Sequence, residues 1–305
     1  MLSAQCGDAP HRRTKSSIGL CTVNSWGPDN GDDSAKVTLL RAIMAHEPDF
    51  VAIQEAPLAV ILEKAIVGSD YRIAYYIDSV GGRVIKYEIM AALVKSSWTI
   101  TRNELVCSTI PYLTKRTACI TTLERGDERF TIANVHLCGG LVDEQILGRM
   151  SAANRGAGEE LRLPEASAAS KVVEAKNEIL REVLETRPAP DVVMGDFNSD
   201  LNSYIQPDAT ERLQIIQRYF RERAFWDDNV QILMYMKAPF QLMEYRHYLP
   251  AWHSGMHESH VHGQTPDSIW YHPKAVRGID TLEILPYHEM ASDHKAIVTR
   301  LSRHA

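Results

Sequence analysis

The strongest indication of the fold is a short segment in the second half of the chain, Val192-Val-Met-Gly-Asp-Phe-Asn198. Its first three residues are apolar, which is typical of a buried strand. Gly195 lets the backbone turn sharply where that strand ends. Asp196 and Asn198 then lie two positions apart in an extended turn, so both side chains can face the same side. The segment predicts a core strand that carries a carboxylate and an amide to the rim of a sheet, where ligands bind.

The same arrangement, a polar side chain at the end or start of an apolar run, recurs along the whole chain. The polar groups that are placed in this way are Asn24, Gln54 and Glu55, His136, Asp267, and Asp293 with His294. Carboxylate and amide oxygens suit magnesium or manganese better than zinc. Carboxylates that hold such a cation, aim a water molecule and pair with histidine are the parts needed for in-line attack on a phosphodiester.

The order of apolar runs predicts an α/β fold. We expect strands at 18–24, 50–54, 71–78, 90–95, 117–123, 130–138, 191–194, 269–272, 281–285 and 295–301, and helices at 35–46, 165–185 and 209–223. Consecutive strands favour antiparallel pairing, whereas single helical crossovers favour parallel pairing. The expected result is two mixed sheets packed face to face with helices outside. We expect residues 1–16 to be a flexible N-terminal segment and 17–305 a single domain with insertions near 139–164 and 229–264.

The composition limits the classes of function. The chain has 305 residues, of which 45% are apolar, and a net charge of −6, so it lacks the broad basic surface of many nucleic-acid-binding proteins. A bound polyanion would be held by a local patch or a metal. The sequence contains no transmembrane run and no apolar signal-peptide core at its start. Its five scattered cysteines indicate reduced thiols, so we expect an intracellular location in the cytoplasm or nucleus. No protein partner is implied.

Taken together, the polar motifs resemble the endonuclease/exonuclease/phosphatase superfamily, whose members are similar to deoxyribonuclease I. The motifs that carry the resemblance are Asn24, Gln54-Glu55, His136-Leu137, Gly195-Asp-Phe-Asn198, Asp267 and Ser292-Asp-His294. They occur in the order of that superfamily, and the resemblance extends from about Ile18 to Leu301. It implies a four-layer α/β/β/α sandwich of two mixed β-sheets flanked by helices.

The resemblance also implies a magnesium site, in which manganese could substitute. Glu55 would bind the metal, with Asn24 and Asp293 beside it. Asp196 would orient and deprotonate the attacking water, helped by Asn198.

The remaining implied roles concern the phosphate and the rest of the substrate. His294 would contact the scissile phosphate and be held by Asp267, and His136 would stabilise charge on the phosphate or protonate the leaving oxygen. Glu88 would orient His136, and Arg83 and Arg116 would contact the substrate.

The leading functional hypothesis is therefore a magnesium-dependent phosphodiester hydrolase that acts on nucleic acid, as a nuclease or an end-processing enzyme. The histidine at position 136 resembles the deoxyribonuclease, sphingomyelinase, deadenylase and tyrosyl-DNA phosphodiesterase branches; the abasic-site endonucleases carry tyrosine there. The alternatives are a phospholipid or small phosphoester hydrolase, sphingomyelinase-like or phosphatase-like, and a non-catalytic binding module of the same fold.

The segment 234–262 is rich in aromatic and histidine residues. We expect a long loop in which Tyr248 and Trp252 bind the substrate by stacking; packing of the aromatic residues on the rim of their own sheet is the alternative. Four histidines of this segment, His253, His257, His260 and His262, could bind zinc. No cysteine accompanies them and their spacing matches no known zinc site, so the sequence favours no zinc site there.

Overall fold

The computed structural model describes residues 16–80, 83–84, 89–107, 117–137, 174, 177–205, 229–252, 258–260, 264–286 and 290–304. The strands are, in chain order, β1 (Ser17–Asn24), β2 (Phe50–Gln54), β3 (Tyr71–Ile77), β4 (Ser79–Val80), β5 (Arg83–Val84), β6 (Met90–Lys95), β7 (Thr99–Cys107), β8 (Thr117–Arg125), β9 (Glu128–His136), β10 (Val192–Asp196), β11 (Leu249–Pro250), β12 (Asp267–Tyr271), β13 (Val276–Ile284) and β14 (Ile297–Arg303). The helices are α1 (Asp33–Ala45), α2 (Ala59–Ile66), α3 (residues 177–185), α4 (Leu201–Ile205) and α5 (Asn229–Tyr245).

These strands form two six-stranded sheets. The first has the order β13-β14-β1-β2-β6-β3 and the second the order β11-β12-β10-β9-β8-β7, while β4 and β5 form a small separate ribbon. The central pairs β1–β2 and β9–β10 are parallel. Their neighbours β14, β6, β12 and β8 pair with them in antiparallel fashion, so both sheets are mixed, as the sequence predicts.

Three apolar clusters hold the sheets and helices together as four layers. Between the sheets, Phe50 of the first sheet and Phe130 and Met194 of the second lie in one buried cluster. On the outer face of the first sheet, Ile43 of α1 and Leu62 of α2 lie in a second cluster with residues of β1 and β2. A third cluster joins α3 and α5 to the outer face of the second sheet. The predicted α/β/β/α sandwich is confirmed.

The alternation of side chains along the strands decides what meets at the end of the sandwich. In β1 and β2, alternate residues face the second sheet, and these series end in Asn24 and Gln54 at the same end. In the second sheet, Asp196 is paired with both His136 and Asp267, which brings these three residues to that end too. The polar motifs therefore converge, although they are up to about 270 positions apart in the chain.

Gly195 has a physical reason to be glycine. Its φ is 142°, and a Cβ atom there would lie 2.0 Å from the carbonyl oxygen of Val135 in the neighbouring strand. Any other residue would push β9 and β10 apart directly below Asp196. The predicted strand is present, but it does not end at Met194: it continues through Gly195 to Asp196.

The structure corrects the expectation for residues 229–264. The sequence analysis predicts a long loop, but residues 229–245 form α5, with Pro239 inside the helix. Phe240 and Met243 of this helix are fully buried against the second sheet. Strand β7 and helix α2 are further elements that the sequence analysis did not predict. The predicted helix 209–223, the insertion 139–164 and residues 1–15 lie outside the described residues.

Two further findings bear on the sequence analysis. The three described cysteines are free thiols, and burial raises the pKa of both Cys21 and Cys119. These two are core residues, as predicted, and not nucleophiles. Within the described part of the chain, no helix has the length and apolar character needed to span a membrane.

Candidate active site

The polar end of the inter-sheet layer contains a connected group of four side chains. Asn24 donates from Nδ2 to Glu55 Oε1 and to Asp196 Oδ2, at 3.0 Å in each case. His136 Nε2 lies 3.7 Å from each of the same two carboxylate oxygens. Asn24 thus joins one carboxylate of the first sheet to one of the second. The structure brings these four predicted residues together.

The backbone conformation of Glu55, and the hydrogen bonds to its carbonyl oxygen, fix the position from which its carboxylate projects. Glu55 follows β2 in a left-handed conformation, with φ 45°, which an L-residue adopts at a cost. Its carbonyl oxygen accepts hydrogen bonds from Ser25 Oγ at 2.7 Å and from Gly27 N at 2.8 Å. These bonds tie the loop after β1 to Glu55, and about a quarter of its side chain remains exposed to the cleft.

Asp196 is buried and fixed through both of its oxygens. Oδ1 accepts the backbone N–H of Asn198 at 2.7 Å, and Oδ2 accepts Asn24 Nδ2. Burial by itself would raise the pKa of Asp196, but the imidazoles of His294 and His136 and these two hydrogen bonds lower it. The Asn198 side chain donates to the carbonyl oxygen of Leu137 at 2.8 Å, which ties the turn after β10 to the end of β9. Asp196 is therefore held as a carboxylate in one orientation.

Asp267 and His294 form a second buried pair. His294 Nδ1 lies 2.8 Å from Asp267 Oδ2, which also accepts Ser259 Oγ at 2.8 Å. Asp267 Oδ1 is buried and accepts no hydrogen bond from the residues that the structure describes. Burial opposes the charged imidazole, but Asp267, Asp196 and Asp293 outweigh it and raise the pKa of His294 to about 10. Burial raises the pKa of Asp267 as well, although His294 and Ser259 act against this. We assign the proton of the pair to the imidazole, which leaves an imidazolium beside a carboxylate while no cation is bound.

Asp293 lies at the outer side of His294. Its Oδ1 is 3.8 Å from His294 Nε2 and its Oδ2 is 3.5 Å from His260 Nε2. Partial burial acts against ionisation, but these two histidines lower the pKa of Asp293. The predicted acidic group is present, and the contacts found for it are to histidines.

A buried polar network forms the floor below the site. Gln54 Nε2 donates to Asn134 Oδ1 at 2.6 Å and to Thr22 Oγ1 at 3.2 Å. Asn134 Nδ2 in turn donates to the Tyr75 hydroxyl at 2.8 Å. Burial raises the pKa of Tyr75 well above its ordinary value, so the phenol stays neutral. Asn134 belongs to the second sheet and the other three residues to the first, so the network fixes one sheet against the other.

The predicted substrate-binding residues have mixed outcomes. The prediction for Tyr248 is wrong: it is a core residue, 2% exposed, whose hydroxyl donates to the Pro190 carbonyl at 2.5 Å, so its ring has no face for a substrate. Trp252 is half-buried and donates from Nε1 to Asn202 Oδ1 at 2.9 Å, and its contact with substrate stays a prediction. Arg83 lies in β5, with no description of its side chain. Glu88 and Arg116 lie outside the described residues.

The structure also adds Ser259 and Lys36, which the sequence analysis did not single out, and gives a position to His260, which the sequence analysis considered only as a zinc ligand. Ser259 and His260 contact Asp267 and Asp293 from the segment before β12. Lys36 is a buried lysine of α1 whose Nζ donates to the Gly27 carbonyl, and burial lowers its pKa despite nearby carboxylates. Lys36 could have been noticed in the sequence, because a lysine interrupts the apolar face of α1. No feature of the sequence marks Ser259.

The overall structure is similar to several solved structures. The catalytic domain of human Nocturnin with a bound sulfate anion has a TM-score of 0.57 and 14% identity over 94% of this chain and 95% of that chain. An endonuclease/exonuclease/phosphatase from Bacteroides vulgatus has a TM-score of 0.59 and 14% identity over 95% and 100%. The chain has the endonuclease/exonuclease/phosphatase fold. D. rerio TDP2 in complex with a single-strand DNA product shares this fold, with a TM-score of 0.56 and 12% identity over 94% and 99%.

No protein-family model and no curated protein matches the sequence. The endonuclease/exonuclease/phosphatase fold is thus established here by three-dimensional similarity over nearly the full length of the chain. The superfamily resemblance that the sequence motifs carry is confirmed at the level of this fold.

Proposed function

We propose that the protein is a magnesium-dependent phosphodiesterase that acts on nucleic acid. The observation that carries this proposal is the convergence of Glu55, Asp196 and His294 at one end of the layer between the two sheets, each held by its own hydrogen bonds. A binding module of the same fold would not need an ionised carboxylate and a cationic imidazole fixed around one cleft.

The donor set fits a hard divalent cation. Glu55 supplies carboxylate oxygens, and Asn24 Oδ1, which accepts one hydrogen bond from Trp26 N at 3.0 Å, keeps a second lone pair. Asp293 Oδ1 is buried and accepts no hydrogen bond from any described residue. A bound cation would offset the free-energy cost of burying that oxygen without a partner. Asn24, Glu55 and Asp293 would hold the magnesium ion, with oxygen ligands only. When bound, the ion supplies charge stabilisation for the phosphate oxygens.

Asp196 is the proposed general base. It is ionised, buried and fixed at both oxygens, so it accepts a proton from the attacking water without changing its position. Asn198 contributes by holding the turn, since its backbone N–H and its side chain bind Asp196 and the end of β9.

His294 is the proposed phosphate-binding cation. Its Nδ1 is occupied by Asp267, so Nε2 is the atom that faces a ligand. The buried Asp267 keeps the imidazole protonated and oriented, and the charge-assisted contact with a phosphate oxygen strengthens as negative charge develops.

His136 is the proposed second imidazole of the reaction. It is 2% exposed and its Nε2 faces Glu55 and Asp196. From this position it can stabilise charge on the phosphate or transfer a proton to the leaving oxygen.

A nucleic-acid substrate is supported by the similarity to TDP2, whose structure contains a single-strand DNA product. A small or terminal phosphoester is the second candidate, and the net charge of −6 favours it over long duplex DNA. Affinity for duplex DNA depends on many contacts between cationic side chains and phosphates. A panel of single- and double-stranded DNA, RNA, 5′-tyrosyl DNA, sphingomyelin and inositol phosphates, each with magnesium, distinguishes these candidates.

The decisive experiment measures cleavage of bis(p-nitrophenyl) phosphate with magnesium and with EDTA. We expect Glu55→Gln to lose most activity at low magnesium while remaining folded, because the amide keeps the volume but loses the charge that binds a hard cation. Glu63→Gln is the matched control, since Glu63 is exposed on α2 away from the site. Equal activity of Glu55→Gln and wild type at low magnesium would rule out the proposed site.

A further inference from the structure

His260 lies against Asp293 and His294 of the proposed catalytic site, and the three residues form a cluster of metal-binding side chains. Each offers one ligand atom, and these atoms lie within 4.8 Å of one another. Asp293 meets the two histidines through different oxygens, with Oδ2 at 3.5 Å from His260 Nε2 and Oδ1 at 3.8 Å from His294 Nε2. Both contacts are longer than charge-assisted hydrogen bonds of about 2.7–2.9 Å. Two ligands of a tetrahedral zinc ion, each about 2.0–2.1 Å from the metal, lie about 3.3 Å apart. The spacing of the three side chains is therefore compatible with one shared ion.

The backbone holds the two histidines in place. His260 and His294 form an isolated antiparallel β-bridge, and their rings meet edge to face with centroids 4.6 Å apart. Lys295 N donates to the Ser259 carbonyl at 2.6 Å, and His260 N donates to the Gln264 carbonyl at 3.0 Å. Because both flanking segments are hydrogen-bonded, an ion would meet ligands that are already positioned.

The donor atoms select a different class of metal from the catalytic site. Two imidazole nitrogens and one carboxylate suit zinc and its neighbours, whereas the oxygen donors of Glu55, Asn24 and Asp293 suit magnesium. Asp293 is common to the two donor sets. Asp267 accepts a hydrogen bond from His294 Nδ1, so Nε2 is the nitrogen left for a metal. A carboxylate behind a histidine ligand is the usual second partner at zinc sites.

The local charge at the His260–Asp293–His294 cluster favours a cation, and the cluster is accessible from solvent. A metal ion at Nε2 displaces the proton of His294, and Asp196 and Asp267, which lie against that imidazole, then keep the local charge negative. Asp293 is 27% exposed at its side chain, while His260 and His294 are 10% and 9% exposed. An ion from solvent therefore reaches Asp293 first. Three protein ligands also leave a fourth position open for water or an anion.

We propose that His260, Asp293 and His294 bind a zinc-class divalent metal ion, and that this ion inhibits the phosphodiesterase. The inhibition rests on the proposed function, because the ion would occupy Nε2 of His294, the atom assigned to the phosphate. Among the described residues, the histidine-rich run of the sequence contributes His260 to this cluster; His253, His257 and His262 lie outside the described residues. The other two ligands come from the Ser292-Asp-His294 motif near the C-terminus.

Binding is tested without a substrate. Zinc binding is measured by calorimetry, and cobalt binding by its visible absorption, in excess magnesium for wild type, His260→Gln and His46→Gln. His46 is the control because its Nδ1 lies 3.6 Å from Glu283, an exposed histidine–carboxylate pair without a second histidine among the described residues around it. We expect His260→Gln to weaken binding by at least about tenfold and His46→Gln to leave it unchanged. Equal binding by all three proteins would overturn the site.

Inhibition is tested on the same proteins. The turnover of each protein on bis(p-nitrophenyl) phosphate with magnesium alone is the reference against which its inhibition by zinc is measured. The zinc concentration for half-inhibition should rise at least about tenfold in His260→Gln and not in His46→Gln. Zinc binding that depends on His260 but leaves cleavage unaffected would overturn the inhibitory role.

If wild type binds zinc through His260 yet cleaves no substrate of the panel, the proposed function fails while the zinc site stands. An unchanged melting temperature excludes misfolding of His260→Gln. If the melting temperature of His260→Gln is lowered, His260→Asn serves as a second variant.

Discussion

The two ends of the layer between the sheets each bury aspartates, but they satisfy them in different ways. At one end, Asp49 precedes β2 and accepts hydrogen bonds from Gly19 N at 2.7 Å and Trp98 Nε1 at 2.9 Å. Arg125 adds a contact at 3.4 Å and stacks on Trp98, 4.1 Å from the ring centre. At the other end, Asp267 keeps one buried oxygen to which no described residue donates.

This difference separates a structural aspartate from a functional one. Both oxygens of Asp49 accept hydrogen bonds from N–H groups, and these bonds connect β1, the start of β2 and Trp98. The carboxylates of Asp267 and Asp293 at the opposite end have histidines as partners, and each keeps one buried oxygen to which no described residue donates. A cation would offset the free-energy cost of burying such an oxygen. Asp49 at one end and Asp196 and Asp267 at the other are all buried, so burial alone does not identify the site.

The largest expected effect is the loss of turnover in Asp196→Asn and His294→Ala. Each should lower kcat on bis(p-nitrophenyl) phosphate by about 10³-fold, since proton transfer and charge stabilisation are separate large contributions. Asp49→Asn should keep kcat per folded molecule. Circular dichroism must show a native fold for each variant. A loss below about tenfold in either catalytic variant would place the chemistry elsewhere.

The second effect concerns stability at the Asp49 end. Asp49→Ala leaves the buried N–H groups of Gly19 and Trp98 without their acceptor, so we expect a loss of about 2–4 kcal/mol in the free energy of unfolding. Urea denaturation measures it, and Asp127→Ala, at an exposed turn, is the control. Unchanged stability of Asp49→Ala would mean that the two ends are not distinguished by hydrogen bonding.

The third effect is stabilisation by magnesium. A ligand that binds only the folded state, at a concentration 100 times its dissociation constant, adds about 2.7 kcal/mol to the free energy of unfolding. The melting temperature of wild type should therefore rise with magnesium. Asp49→Asn should show the same rise from a lower starting temperature, whereas Glu55→Gln should show little. A rise of equal size in Glu55→Gln would separate magnesium binding from the proposed site.

The smallest effect is expected for the floor of the site. Asn134→Ala removes the partner of Gln54 and Tyr75, and we expect a loss of about 1–3 kcal/mol in unfolding free energy. Because the floor fixes the two sheets beneath Glu55 and His136, kcat should fall as well, with the Michaelis constant little changed. A purely structural role for Asn134 would lower stability and leave kcat intact.

The elements that could be predicted from the sequence are those whose local pattern agrees with their place in the fold. Strands β1, β2, β9 and β10 are apolar runs that end in polar residues, and the structure contains each of them. Helix α5 could not be predicted because Pro239 removes a backbone donor and disfavours a helix locally. Burial of Phe240 and Met243 against the second sheet outweighs that local preference.

The substrate prediction failed for Tyr248 for a related reason. An aromatic residue beside charged residues fits a stacking site and a core position equally well in a sequence, and only the tertiary structure shows that its hydroxyl reaches Pro190. The same ambiguity affects His260, which the sequence groups with three other histidines and the structure places against Asp293 and His294.

The sequence by itself determined which residues could do chemistry, because Asn24, Glu55, His136, Asp196, Asp267 and His294 stand at the ends of apolar runs in a recognisable order. It also determined the layered α/β fold, since apolar periodicity and chain order restrict the pairing of strands. Only the tertiary structure decided which oxygens are satisfied and which are not. Hydrogen bonds between residues distant in the chain, such as the one from Asn24 to Asp196, depend on strand register and sheet packing, which no local pattern records.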